Sequence, residues 1–280
     1  MHIAGAECRV VADLDATTDW TDCLTHTDIV IHCAARVHVM NDTASDPLHL
    51  FRQINVAGTL RLAKQAAAAG VKQFIFLSSV KVNGEETAPG NAFTEDHPPQ
   101  PIDPYGISKN EAEQALLALG RKSGMAITII RPPLVYGPGV GANFLSMLRW
   151  VKKGIPLPLA SIRNQRSFVF IDNLVSLITT CINNRLAYNQ VFLASDGQDL
   201  STADLLIKSA AAFGVPSRLL PCPPSLLLFL AQLAGKRSVA DRLCQSLQVD
   251  IHKAQHPLGW SPPFTVEQGL QATANSMIEA

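Results

Sequence analysis

Gln73-Phe74-Ile75-Phe76-Leu77-Ser78-Ser79 is the stretch on which the reading of this chain turns. Four consecutive apolar residues between polar neighbours fit a strand buried on both faces, the kind that parallel sheets contain. The two serines then deliver hydroxyls at its carboxyl end. Ligands of open α/β sheets sit outside the carboxyl ends of the strands, so both serines become candidate site residues.

The pattern around this strand alternates. Upstream, residues 29–33 form a second strong strand candidate and Cys8 to Ala12 a shorter β-branched one. Between them and residue 73, Ser45 to Gly70 reads as one long helix closed by Gly70. Its apolar residues Leu50, Ile54, Ala57 and Leu60 recur three and four apart. Downstream, residues 83–104 carry the Gly, Pro, Asn and Asp of a loop. Residues 105–123 return to a helical pattern, and 126–130 form a third strand. Strands alternating with helices imply an α/β fold, a Rossmann-like doubly wound parallel sheet. From Arg131 the rhythm changes, with Arg-Pro-Pro at 131–133, Gly-Pro-Gly at 137–139 and recurrent prolines beyond. We therefore expect residues 1–131, with 167–196 returning, to form a nucleotide-binding domain. Residues 132–166 and 197–280 would form a smaller α/β substrate lobe.

Bulk properties narrow the function classes. The chain has 280 residues, 47% apolar and 16% charged, with formal net charge zero. That balance disfavours a nucleic-acid partner or a membrane-surface role, since both call for a clustered basic excess. The six cysteines lie far apart with no C-x-x-C pair, and the histidines show no ligand spacing, so no metal site is expected. Dispersed cysteines and the lack of a secretory pattern suit a reducing, cytoplasmic setting. The most apolar run, Leu226 to Ala234, is too short to span a bilayer.

Tyr105 and Lys109 stand four apart on one helix and so share a face. An ammonium there, with a nicotinamide cation nearby, would favour the phenolate and lower the tyrosine pKa. The phenol could then give or take a proton near neutral pH.

Several further motifs follow in order. They are Asp13-Leu14, Ile31-His32-Cys33-Ala34-Ala35, Asn55-Val56-Ala57-Gly58-Thr59, the Ser78-Ser79 strand end, Tyr105 with Lys109, and Leu258-Gly259-Trp260-Ser261-Pro262. Together they resemble the extended short-chain dehydrogenase/reductases, the NAD-dependent epimerase/dehydratase group that includes enzymes like UDP-glucose 4-epimerase. The resemblance implies an NAD(P)-dependent enzyme with a Ser79, Tyr105, Lys109 catalytic trio, Ser78 being the rival hydroxyl. It implies cofactor contacts from Asp13 and Leu14 at adenine, and from Ala34, Ala35, Ser78, Tyr105, Lys109 and Pro132. Ser79, Asn143 and Arg166 would meet the substrate. A guanidinium suits a diphosphate because its planar fork matches phosphate oxygens, although Arg166 could equally form a surface ion pair. His32 and Asn55 read as structural, and Asp172 as a helix cap.

Family members that dehydrate sugars carry an Asp-Glu pair after the catalytic hydroxyl. Here Val80 and Lys81 stand there, so a 4,6-dehydratase is rejected. A 4-epimerase or a 4-keto-reductase of a UDP-hexose or UDP-hexosamine remains, in polysaccharide precursor synthesis. The other readings are a reductase of non-sugar ketones and a non-catalytic nucleotide-binding redox sensor. The resemblance also implies a homodimer through the helices at 45–70 and 105–123. The family opens with a strand and a G-x-x-G-x-x-G turn that cradles pyrophosphate. Residues 1–13 hold a single glycine, Gly5, so this unit of about forty residues is expected to be missing. With it would go tight dinucleotide binding and the residues that separate NAD from NADP.

Overall fold

The computed structural model describes residues 5–11, 13–37, 46–88 and 90–279. In chain order these form α1 (Thr21–Leu24), β1 (Ile29–His32), α2 (Pro47–Phe51), a π-helical turn (Arg52–Gly58) and α3 (Thr59–Ala68). Next come β2 (Gln73–Leu77), a 3₁₀ turn (Val80–Val82), α4 (Pro104–Ser123), β3 (Ala126–Arg131) and β4 (Leu134–Tyr136). Then follow α5 (Ala142–Lys152), β5 (Phe168–Phe170), α6 (Ile171–Cys181) and β6 (Gln190–Leu193). The remainder is helical: α7 (Thr202–Ala212), α8 (Pro224–Leu233), α9 (Arg237–Cys244), α10 (His252–Gln255) and α11 (Val266–Glu279).

The chain divides into two compact units. One comprises Met1–Gly84, Pro98–Arg131 and Cys181–Phe192; the other comprises Glu85–His97, Pro132–Thr180 and Leu193–Ala280. This corrects the expected boundaries. Residues 167–180 group with the second unit, as does the 85–97 loop, because Phe93 bridges to Val249 and Thr87 bonds the Ser246 carbonyl.

The first unit is built on a four-stranded sheet in the order β1-β2-β3-β6. β1 and β3 both run parallel to β2, with Ile31 opposite Ile75 and Ile75 opposite Thr128. β2 is central, so the side chains of both its faces are covered. Phe74 and Phe76 pack with Ile127 and Ile129 under Leu62, Ala63 and Ala66 of α3 and Leu116 of α4. Each such buried side chain contributes about 1.5–3 kcal/mol. On the other face the polar pair Gln73 and Thr128 is satisfied: Gln73 donates to Thr128 at 3.1 Å and to the Cys181 carbonyl at 2.8 Å.

Two sequence expectations need correction. Residues 8–11 form no strand, and Val10 is 99% exposed, so nothing apolar holds that segment against β1; Ala12 lies outside the described residues. The expected 45–70 helix begins at Pro47, capped by Asp46, which accepts the His49 N–H; Ser45 lies outside the described residues. It also widens into the π turn at its middle, which periodicity does not reveal.

In the second unit β4 and β5 pair in parallel. Tyr136, Phe144, Phe168, Phe170, Leu205 and Leu270 form its core. Buried Asp196 ties the cluster together, accepting from the Tyr136 phenol, the Phe170 N–H and Asn173, each at 2.7 Å. The Leu258–Pro262 signature has a packing explanation. Gly259 takes φ +65°, and Trp260, 3% exposed, donates its indole N–H to Ser176 at 3.2 Å. Asp172, expected as a cap, instead lies within the first turn of α6, where a carboxylate meets the positive end of the helix dipole.

Candidate active site

β2 ends at Leu77, and Ser78 continues its line by donating its N–H to the Ile130 carbonyl at 2.7 Å. Ser79 is extended and caps the 3₁₀ turn, accepting from the Lys81 N–H at 3.2 Å. α4 starts beside it. Asp103 caps that helix through the Gly106 N–H at 2.7 Å, and the Lys81 ammonium pairs with the same carboxylate. A Cβ on Gly106 would lie 2.8 Å from the Lys81 carbonyl oxygen, so only glycine lets the helix start approach this strand end. That approach sets the Tyr105 phenol beside the Ser79 hydroxyl.

Lys109 lies one turn along α4 and is 1% exposed. Its ammonium donates to the Leu77 carbonyl at 2.8 Å and sits 4.4 Å from the Phe76 ring centroid and 6.0 Å from that of Tyr105. Burial pushes its pKa down to about 8, against the pull of Glu113 and Cys33. Tyr105 goes the other way. Burial pushes it up to about 12, opposed by the Ser79 hydroxyl and assisted by Asp103. The expected depression of the tyrosine by Lys109 is therefore absent from the protein's own groups. The ammonium lies over the ring, bonded to a carbonyl, while the phenol loses hydration.

Three buried supports surround these groups; the sequence marked Asn55 and His32 as structural and missed the first. Arg131, at the end of β3, makes a two-pronged contact with Glu113 at 3.0 and 2.6 Å and donates to Asn83 at 3.0 Å. All three are at most 4% exposed. Asn55, in the π turn, holds Arg36 through both its backbone groups and donates to Ser108 at 3.0 Å. Ser108 in turn bonds the Tyr105 carbonyl. Its partners are thus the segment after β1 and α4. His32 bonds Thr59 at 2.9 Å and lies against Phe76, and burial, with Lys109, drives its pKa down to about 4. The signal that could have revealed the first support is Glu113 itself, four residues after Lys109 on the same face.

The remaining candidates are dispersed. Asp13 and Leu14 line a recess of about 380 Å³ with Gln53, Ile54 and Ala57. A Cβ on Gly58 would meet the Leu14 carbonyl oxygen at 2.8 Å, which accounts for the glycine of that motif. Ala34 and Ala35 follow β1, Ala34 exposed and Ala35 half-buried. The Ser78 hydroxyl is buried without a hydrogen-bond partner. Pro132, Asn143 and Arg166 belong to the second unit. Pro132 is buried, and Asn143 is exposed in the first turn of α5. Arg166 donates from Nη1 to the carbonyls of Arg242 and Gln245, at 2.8 and 3.1 Å. One arm of its guanidinium is thus tied to the end of α9, and among the described residues it forms no ion pair. Among the described residues, no cluster of His, Cys, Asp and Glu could hold a metal ion, and no helix is long and apolar enough to cross a membrane.

Comparison with known proteins agrees with this geometry. The chain is 51% identical to a UDP-glucose 4-epimerase of Vibrio cholerae over 271 residues, 96% of this chain and 83% of that one. It is 29% identical to the N-acetyl-alpha-D-glucosaminyl-diphospho-ditrans,octacis-undecaprenol 4-epimerase of Escherichia coli, over 81% of this chain and 72% of that one. Its fold matches the UDP-glucuronic acid 4-epimerase of Bacillus cereus, solved in complex with NAD. The TM-score is 0.74 at 21% identity, covering 94% of this chain and 78% of that one. A family model, NAD dependent epimerase/dehydratase, matches residues 3–193. With two thirds of its length inside that match, the chain belongs to the NAD dependent epimerase/dehydratase family.

Proposed function

We propose that this chain is a UDP-hexose or UDP-hexosamine 4-epimerase that uses NAD(P), working in the synthesis of polysaccharide precursors. The observation that carries the reading is the Tyr105 phenol lying beside the Ser79 hydroxyl with the buried Lys109 ammonium 6.0 Å from its ring centroid. The described residues fit the two ends of a dinucleotide. The Asp13–Leu14 recess suits an adenine, and the buried, unpartnered Ser78 hydroxyl and the Lys109 ammonium offer donors that a ribose or carboxamide could use. NAD(P), when bound, supplies reversible hydride acceptance and a positive charge.

The chain's own groups handle the proton. Ser79 orients the sugar's 4-hydroxyl, and the Tyr105 Oη takes its proton as the C4 hydride leaves; Tyr105 returns the proton when the hydride comes back on the opposite face. A phenol raised to about 12 by burial is a poor base at neutral pH, so a positive charge beside it has most to gain by lowering it. Lys109 steadies the site by bridging the strand end and the ring. Asn143 and Arg166 are proposed for the nucleotide diphosphate, Ala34, Ala35 and Pro132 for cofactor contact, and the helices at 45–70 and 105–123 for a homodimer, which sedimentation equilibrium would test.

Proton NMR of the H4 resonance decides the activity. The chain should interconvert UDP-glucose and UDP-galactose, or their N-acetylated forms, with NAD present. Reduction of a 4-keto sugar without back-oxidation would replace the epimerase by a 4-keto-reductase. No turnover of any UDP-sugar would sink the reading.

A further inference from the structure

Helix α8 reads Pro224-Ser225-Leu226-Leu227-Leu228-Phe229-Leu230-Ala231-Gln232-Leu233, apolar almost all round. A helix of that kind is normally enclosed by protein or lipid. Here none of its residues is buried. Leu227 packs inward with Val151, Leu157 and Leu206. The solvent-facing side carries Leu226, Phe229, Leu230 and Leu233, spaced at i, i+3, i+4 and i+7, so they form one stripe. These are 47, 57, 51 and 72% exposed, and Val239 of the adjoining α9 is 46% exposed. Contiguous apolar surface of this kind marks an interaction site.

Charge identifies what covers it. The whole chain is neutral, yet residues 205–240 contain no Asp or Glu and four cations, Lys208, Arg218, Lys236 and Arg237. Lys236 and Arg237 stand directly beyond the exposed stripe, at the carboxyl end of α8. Arg237 shares Asp241 at 2.9 Å, and Lys208 pairs with Glu267; Arg218 and Lys236 are exposed. An apolar stripe that ends in the exposed Lys236, with Asp241 already paired to Arg237, complements an anionic lipid surface, into which such helices sink while lying flat. Ten residues span only about 15 Å, too short to cross the hydrocarbon.

We propose that α8, with the start of α9, docks the protein on anionic membrane surfaces, the apolar stripe entering the headgroup boundary and Lys236 meeting lipid phosphates. The inference is independent of which sugar the site accepts.

Flotation of the full chain with vesicles tests it. The protein should float with phosphatidylglycerol/phosphatidylethanolamine vesicles, less with pure phosphatidylcholine, and less again in high salt. Leu230→Glu should lower the bound fraction about tenfold or more, the scale of one exposed leucine returned to water. Lys236→Glu should lower it less and abolish its salt dependence. Both changes fall where solvent already reaches, and unchanged melting curves would verify folding. Wild-type protein that stays at the bottom of the anionic gradient overturns the proposal. So does Leu230→Glu floating like wild type, or a lipid-free dimer that the same change converts to monomer, which would assign the stripe to a second copy of this chain.

Discussion

Helix α8 carries seven apolar residues in ten and buries none, whereas α4 carries five charged residues in twenty and buries two of them, Lys109 and Glu113. Ordinary patterning places apolar side chains inside and charges outside. α4 departs from it where charges are held against a strand end, each given a partner: Leu77 for Lys109, Arg131 for Glu113. α8 departs from it where a surface is left for something else to cover. The two helices thus separate two reasons for breaking the same rule, and they respond differently to substitution.

The largest expected effect is on turnover. Tyr105→Phe should lower kcat by about 10²–10⁴-fold, the range for loss of a positioned acid/base; near-normal turnover would reduce α4 to scaffolding. Next is stability. Glu113→Ala leaves the Arg131 guanidinium buried and unpaired and should cost about 3–5 kcal/mol in urea unfolding, while a loss under 1 kcal/mol would mean the pair is dispensable. A smaller effect concerns pH. Lys109 has a folded pKa of about 8, below its ordinary 10.5. Between those values the unfolded chain binds the proton and the folded one does not. Stability from this group is therefore full above 10.5 and lost as pH falls through 8. Lys109→Met should flatten the rise in urea midpoint between pH 8 and 10.5; an unaltered slope would place its cause elsewhere. The smallest effect belongs to α8. Leu233→Gln, at a side chain 72% exposed, should change stability by no more than about 0.5 kcal/mol. A larger loss would mean that the stripe supports the fold, and the contrast with α4 would fail.

The strand at 73–77 and the helix at 104–123 were legible because their signals are local: an apolar run, a cap, a spacing of four. Tyr105 and Lys109 could be named from that spacing and Ser79 from the resemblance; Lys109 lies 6.0 Å from the Tyr105 ring centroid. Residues 8–11 misled because two valines look β-prone in any context, while a strand exists only where a neighbour pairs with it. The buried Glu113–Arg131–Asn83 group was legible only in the spacing of Glu113 from Lys109, for the opposite reason. Its members lie in three separate segments, and a charge in sequence carries no mark of whether it will be enclosed. The burial that raises the tyrosine pKa was hidden in the same way, since distance along a helix is readable and loss of hydration is not.

The π-helical turn at Arg52–Gly58 sets how this segment tolerates changes of length. Its i→i+5 rings hold one residue more than the rings of an α-helix, so helix on either side keeps its facing while an extra residue bulges between. Deleting one residue there would let the segment close into regular α-helix with α3 still presenting Leu62, Ala63 and Ala66 to the core. The same deletion inside α3 would swing that face round by about 100°. The shortened turn would instead give up the Asn55 bonds to Arg36 and Ser108. A single-codon loss at this point would therefore leave a folded protein whose tyrosine helix has lost one of its moorings.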